Sequence, residues 1–236
     1  MNDIKFGIVT TVYPRPDGNT AFYLKRWEDS IRSQTYQNYK VFLMGDKYGK
    51  KLEFEDKIEY EDLYYAYERD KYFGNQLWCC AGNNAGKQGI KKVRKANINY
   101  LILLDYDDYW TPDHLQSFID AGKFDWACTK SKYVNNLIFP KQESDEKIFN
   151  FLPKPAGVIK SSVCYNLKSL PFTPRLVFEE EGYDRAGDWD LWNRQKEYIE
   201  KHPELKLRSI CSNKVTCIHD EEGYAQRTFK NPNLLK

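Results

Sequence analysis

The chain has 236 residues, 30% charged and 41% hydrophobic, with 36 basic against 34 acidic residues and a formal net charge of +2. This is a folding, water-compatible composition long enough to bury one sizeable core. The near-cancellation of charge argues against a general nucleic-acid partner, and no apolar run approaches the roughly 20 residues that span a bilayer.

The N-terminal MNDIKFGIVTTVYP has no basic stretch followed by a long apolar one, so no secretory signal is expected. Six cysteines, at 79, 80, 128, 164, 211 and 217, form neither a CxxC pair nor a compact zinc spacing. Buried free thiols in a reducing cytosol are the simplest account. A Cys211–Cys217 disulfide across a hairpin is the less favoured one. Aromatic residues are plentiful, with 18 Tyr, 13 Phe and 6 Trp. Most belong in a core, but in loops such rings also suit sugars, because they stack on the apolar faces of pyranoses.

Residues 5–13, KFGIVTTVY, read as a buried, β-branched first strand. PRPDGNT follows as a loop, and residues 21–34 carry helical spacing through Phe22, Leu24, Trp27 and Ile31. Residues 39–46, YKVFLMGD, make a second strand ending in Gly45 and Asp46; KIEYEDL gives a weaker third. Residues 75–96 run from a loop into a basic helix, and NYLILLDYDD is the next strong strand. TPDHLQSFIDAG continues as a helix with Thr111 as N-cap and Pro112 at its first position. Beyond it the pattern breaks up. FDWACTKSKYV and NLIFPKQ suggest short antiparallel strands, and AGVIKSSVCYNL a strand leading to a helix or turn. Residues 188–202 are helical, with Leu191, Trp192, Tyr198 and Ile199 on one face. LKLRSICS and KVTCIHD close the fold as two strands about a turn at Asn213-Lys214.

Strand and helix alternate as in an α/β protein with a largely parallel sheet, where ligands bind beyond the carboxyl ends of the strands. The apolar run Leu101-Ile102-Leu103-Leu104 ends at such a point in Asp105, Asp107 and Asp108. Residues two apart in extended chain project alike, so Asp105 and Asp107 face one ligand while Asp108 turns away or caps the next element. Two hard oxygen donors with open positions suit Mg²⁺ or Mn²⁺ shared with a substrate's phosphates. A helix-capping cluster is the plainer alternative. GNNAGKQG falls one residue short of a P-loop and has no Ser or Thr after its lysine.

LILLDYDDYWTPDHL resembles the FLDSDDWWLPDKL signature of family 2 glycosyltransferases, inverting enzymes of GT-A fold. Three further stretches agree in order: GIVTTVYPRPD with LKRWEDSIRSQTYQNYKVFLMGD, AGNNAG before a basic helix, and GDWDLWNRQ, which is similar to EDWDLWLR. The match runs from about residue 5 to 200. The resemblance implies a single GT-A (nucleotide-diphospho-sugar transferase-like) domain over 1–236. Its mostly parallel central sheet is flanked by helices and accompanied by a small antiparallel second sheet. Residues to about 108 form a nucleotide-sugar half and those from about 109 an acceptor half.

Residue roles follow from the same resemblance. Thr10, Thr11 and Tyr13 would line the nucleotide pocket, and Asp46 would accept a hydrogen bond from a uracil or thymine N3–H. Asp105 would lie near the ribose or metal, and Asp107 would ligate Mn²⁺ or Mg²⁺ on the diphosphate, with His219 either a third ligand or a structural histidine. Asp188 would be the general base, Asp190 its competitor. Trp110 and Trp189 would form an acceptor platform, and the acidic FEEEGYDRAGD loop would close over the donor. The chain departs from the pattern at two places. Gly82 stands where the family has an arginine, leaving base and diphosphate contacts to Asn83, Asn84, Lys87 or Arg94; Gly187 replaces the glutamate before the base. The implied function is metal-dependent, inverting transfer from a UDP- or dTDP-sugar to a glycan or glycoconjugate hydroxyl. The expected location is the cytoplasm, or a membrane surface reached through the acceptor. The alternatives are a sugar nucleotidyltransferase, for which TTVYPRPDGNT lacks the glycine-rich, arginine-bearing loop, and a non-catalytic sugar-binding relative.

Overall fold

The computed structural model describes residues 4–133, 136–154, 157–175 and 187–219. Strand β1 (Phe6–Val12) lies parallel to β2 (Tyr39–Asp46), which is parallel in turn to β3 (Ile58–Leu63). On its other side β1 pairs in parallel with β4 (Tyr100–Leu103). Helix α1 (Thr20–Arg32) makes the first crossover, and α2 (Gly74–Cys80) and α3 (Asn83–Lys95) lead into β4. A short β5 (Tyr109–Trp110) and helix α4 (His114–Asp120) follow.

The second half adds β6 (Trp126–Tyr133), β7 (Ile138–Phe139), β8 (Ile148–Asn150), β9 (Val163–Asn166), helix α5 (Gly187–Lys201) and β10 (Ser209–His219). The strand order is β3-β2-β1-β4-β9-β6-β10-β5, with β7 on β6 and β8 on β10. The antiparallel strands foreseen as a second sheet join the first, because β9 bridges β4 and β6 antiparallel to both.

Three local expectations are corrected. Residues 209–219 form one strand, not a hairpin. Register shifts between Ser212 and Cys217 absorb the irregularity read as a turn, and parallel pairing with β6 continues beyond them. Cys211 and Cys217 therefore sit on one strand, and all six thiols are free and buried. Helix α4 begins two residues later than Pro112, with Asp113 at its N-cap; Thr111 instead donates its hydroxyl to the Asp113 carboxylate at 2.7 Å. In AGVIKSSVCYNL the order is reversed, a 3₁₀ turn over Lys160–Ser162 preceding the strand.

The sheet is covered on both faces. Phe6 and Ile8 pack with Trp27 and Ile31 of α1 and Phe118 of α4. Val9, Phe42 and Met44 pack with Ile90 and Val93 of α3 and Leu191 and Trp192 of α5. Each fully buried side chain of this kind contributes about 1.5–3 kcal/mol. Two-sided burial is why β1, β2 and β4 read as continuous apolar runs. Among the described residues no helix is long and apolar enough to cross a membrane.

Candidate active site

Parallel register brings the ends of three strands to one edge. Val12 of β1 stands opposite Gly45 of β2, and Val9 opposite Leu103 of β4. The Leu104 amide still donates to the Val9 carbonyl at 2.9 Å. Asp46 and the aspartate turn thus flank the exit of β1.

Each carboxylate of that turn meets a cation of the protein. Asp105 Oδ1 lies 2.5 Å from Lys160 Nζ. Asp107 Oδ2 lies 3.4 Å from Arg15 Nη1, and the Asp107 carbonyl accepts from Arg26 Nη2 at 2.6 Å. Asp108, fully buried, lies 2.8 Å from His219 Nδ1 and accepts from the Ser161 hydroxyl. Ser161 fastens the turn again by accepting the Asp105 amide at 3.1 Å and, through its carbonyl, the Trp110 indole N–H at 2.8 Å.

The charges are unevenly satisfied. Burial opposes ionisation of Asp108, but His219 and the Ser161 hydrogen bond outweigh it and hold the carboxyl below its ordinary range. His219 is correspondingly pushed up to about 9: burial favours the neutral ring, and the field of Asp108 reverses that. Asp107 is pushed up to about 7 by burial and by repulsion from Asp108 and Asp105. It is the carboxylate with the longest ion pair and the greatest need of another cation.

Asp188 stands half-buried in the first turn of α5, with its Oδ1 accepting the Trp189 amide at 3.0 Å. Burial raises its pKa, Lys160 lowers it and Asp105 raises it, so Asp188 and the turn share one field. Asp190 is engaged differently. Its Oδ2 lies 2.6 Å from Arg194 Nε and 3.4 Å from Arg175 Nε, and Arg194 also donates to the Thr173 carbonyl at 2.8 Å. Asp190 fastens α5 to residues 173–175.

At the other end of the site Asp46 is fully buried, with Arg69 Nε donating to Oδ2 at 2.8 Å and Oδ1 without a hydrogen-bond partner. The neighbouring Glu68, 1% exposed, accepts the Asn84 amide at 2.6 Å and so caps α3, whose own N-cap Gly82 has no side chain. Burial pushes Glu68 up to about 7 from 4.5, with Asp46 adding to the rise. The native state therefore holds a proton that the unfolded chain loses between those values. Stability should fall as pH rises from about 4.5 to about 7 and then level off. Glu68→Gln, which keeps the cap, should flatten that segment of a urea-denaturation series against pH.

The remaining expected residues are placed as follows. The buried Thr10 hydroxyl accepts the Trp27 indole N–H at 3.0 Å and is committed to the core. Tyr13 packs edge-on against Tyr106 at 5.4 Å, under the Arg69 guanidinium. Asn83 Nδ2 donates to the Arg175 carbonyl at 2.9 Å, and Arg94 Nη2 to the Pro171 carbonyl at 3.0 Å. Trp110 is 3% exposed and stacked on His114 at 4.2 Å, so it offers no face to an acceptor and that expectation is corrected. Trp189 is half-buried beside the Asp188 carboxylate. Of the acidic loop over 178–188, residues 178–186 lie outside the described residues.

At both departures from the family pattern a side chain would be crowded. Gly82 has φ +74, and a Cβ there would meet Thr11 Oγ1 at 2.8 Å. A Cβ on Gly187 would meet Asn83 Nδ2 at 2.8 Å. Gly82→Ala should cost about 1–3 kcal/mol in thermal or chemical unfolding, from left-handed backbone plus the clash.

Lys160, Arg15, Glu68 and Arg69 were not singled out in the sequence. The only local signal was their setting in loops next to motif strands; a lone charge in a loop otherwise reads as solvated surface.

A mostly parallel sheet with an aspartate turn, a strand-end Asp46 and a helix-borne Asp188 matches the GT-A arrangement expected from the sequence. No family model matches the chain. It is 32% identical over 241 residues to "Uncharacterized glycosyltransferase R139" of Acanthamoeba polyphaga mimivirus, an alignment covering 94% of this chain and 96% of that protein. Among solved structures it is similar to S. aureus TarS 1-349 in complex with UDP, with a TM-score of 0.62, 17% identity and 92% of this chain covered. The complex of TarS 1-349 with UDP-GlcNAc gives a TM-score of 0.56 at 16% identity, again over 92% of this chain. The chain spans about 60% of the length of TarS 1-349. The chain belongs to the glycosyltransferases and has a GT-A fold.

Proposed function

We propose that the chain transfers a sugar from a UDP- or dTDP-sugar, held with Mn²⁺ or Mg²⁺, to a hydroxyl of a glycan or glycoconjugate, inverting the anomeric centre in one displacement. The observation that carries this reading is the approach of Asp188 to the aspartate turn, where Lys160 pairs with Asp105 and is felt by Asp188 as well. A carboxylate 83 positions from Asp105 is thereby set at the strand ends where nucleotide ligands sit in α/β sheets. In this reading the nucleotide occupies the half built before about residue 108, and the acceptor the half after it.

The donor set suits a cation bound in part by substrate. Among the described residues no group of three His, Cys, Asp or Glu is arranged to hold a metal. Asp107, with Asp105 beside it, offers one or two hard oxygens, as Mg²⁺ and Mn²⁺ take when phosphates complete their shell. His219 would add a nitrogen only after losing its proton, since Nδ1 is committed to Asp108. When bound, the cation would neutralise charge on the departing diphosphate.

The chain's own residues would do the rest. Asp46 Oδ1 would accept the base N3–H. Asp188 would take the acceptor's proton as its oxygen attacks the anomeric carbon, its pKa raised by burial toward the working range. Proton NMR of the product formed from an α-linked nucleotide sugar tests the reading. A β-linked product is expected, and an α-linked one would overturn single displacement.

A further inference from the structure

An arginine at position 82, where the family has one, would be strained here. Left-handed backbone and the Thr11 hydroxyl, 2.8 Å from where a Cβ would sit, make any side chain there strained. Of the substitutes the sequence offered, Asn83 and Arg94 are turned to the carbonyls of Arg175 and Pro171. Asn84 gives its backbone amide to Glu68, and Lys87 acts on that same carboxyl, lowering its pKa. A different guanidinium is beside Asp46. Arg69, its side chain 20% exposed, donates Nε to Asp46 Oδ2 at 2.8 Å and Nη2 to the Asp46 carbonyl. Its Cζ lies 5.3 Å above the Tyr13 ring, so it spans the ends of β1 and β2.

We infer that Arg69 is this chain's donor-contacting guanidinium, reading the nucleobase beside Asp46 in place of an arginine at 82; the inference rests on the UDP- or dTDP-sugar reading above. A guanidinium has five N–H donors, and the two bonds to Asp46 leave others unspent. Next to them Asp46 Oδ1 is buried without a hydrogen-bond partner. An acceptor oxygen beside a fixed donor complements the adjoining N3–H and carbonyl of uracil or thymine. With the ribose anchored, cytosine would set its N3 lone pair against the carboxylate. Asp46 Oδ1 is covered, so a base reaches it only when that cover is displaced.

Isothermal titration with UMP and UDP, on the full chain, tests this. UMP retains the base and lacks the β-phosphate, so it separates a base contact from a diphosphate contact. Arg69→Met should weaken both nucleotides alike, by about tenfold, a loss in the range of one hydrogen bond to a charged group. Arg69→Lys keeps the charge over Asp46 and should lose a comparable factor, since an ammonium does not reproduce the guanidinium fork. It carries the comparison if burying an unpaired Asp46 unfolds the methionine variant. Wild-type affinity for both nucleotides in a folded variant would overturn the inference. So would a loss confined to UDP, which would assign Arg69 to the diphosphate. Failure of the wild type to bind either nucleotide would instead overturn the donor reading beneath it.

Discussion

Asp188→Asn is expected to bind the nucleotide sugar as the wild type does and to transfer it about 10²–10⁴ times more slowly, the usual cost of losing a general base. The split follows from position. Asp188 lies at the start of α5, across Lys160 from Asp105, and among the described residues its carboxylate is in no ion pair and accepts the Trp189 amide. Its neutral replacement can still accept that amide, so the helix start survives. Asp190→Asn is the control. It loosens a carboxylate bound to Arg194 and Arg175 and should cost roughly 1–3 kcal/mol of stability, with a much smaller effect on kcat. Single-turnover transfer beside calorimetric donor binding separates the two. An active Asp188→Asn with an inactive, folded Asp190→Asn would reassign the base.

The second large effect is expected at Asp107. Asp107→Asn should remove the metal-dependent part of UDP affinity, a loss of at least about tenfold, on the scale of weakened metal coordination. It should not destabilise the free protein. The carboxylate is already pushed up to about 7 by burial and by Asp108 and Asp105, so an amide relieves repulsion at the cost of one long contact to Arg15. The Arg26 bond is to the Asp107 carbonyl and persists. Thermal midpoints with and without UDP and Mn²⁺ read both quantities at once. An unchanged ligand-induced rise would show that the cation is held elsewhere; a lower midpoint in the free protein would show that Asp107 is structural. Asp108 is the contrast, since its charge is fully answered by His219 and Ser161.

The opening half of the fold was legible because its information is local. Residues 39–46 form the strand read there, and residues 187–201 the helix expected over 188–202. Burial on both faces writes itself into the sequence as an apolar run, and burial on one face as helical spacing. The aspartate turn was visible for the same reason, as an abrupt change of polarity at a strand end. Continuous strand β10 was misread as a hairpin because bulges and turns share residue types, and only pairing with β6 distinguishes them.

What the sequence by itself determined was the alternation of strand and helix and the positions of Asp46, Asp105, Asp107 and Asp188 within it. What only the tertiary structure decided was which partner answers each carboxylate. Arg15 reaches Asp107 across 92 positions, Ser161 reaches Asp108 across 53, and His219 reaches Asp108 across 111. Trp110 likewise became core, its indole N–H satisfied by the Ser161 carbonyl. Such pairs have no period and no fixed spacing. They exist because the sheet order sets β10 and the Lys160–Ser162 turn against the end of β4, where burial makes an unanswered charge costly.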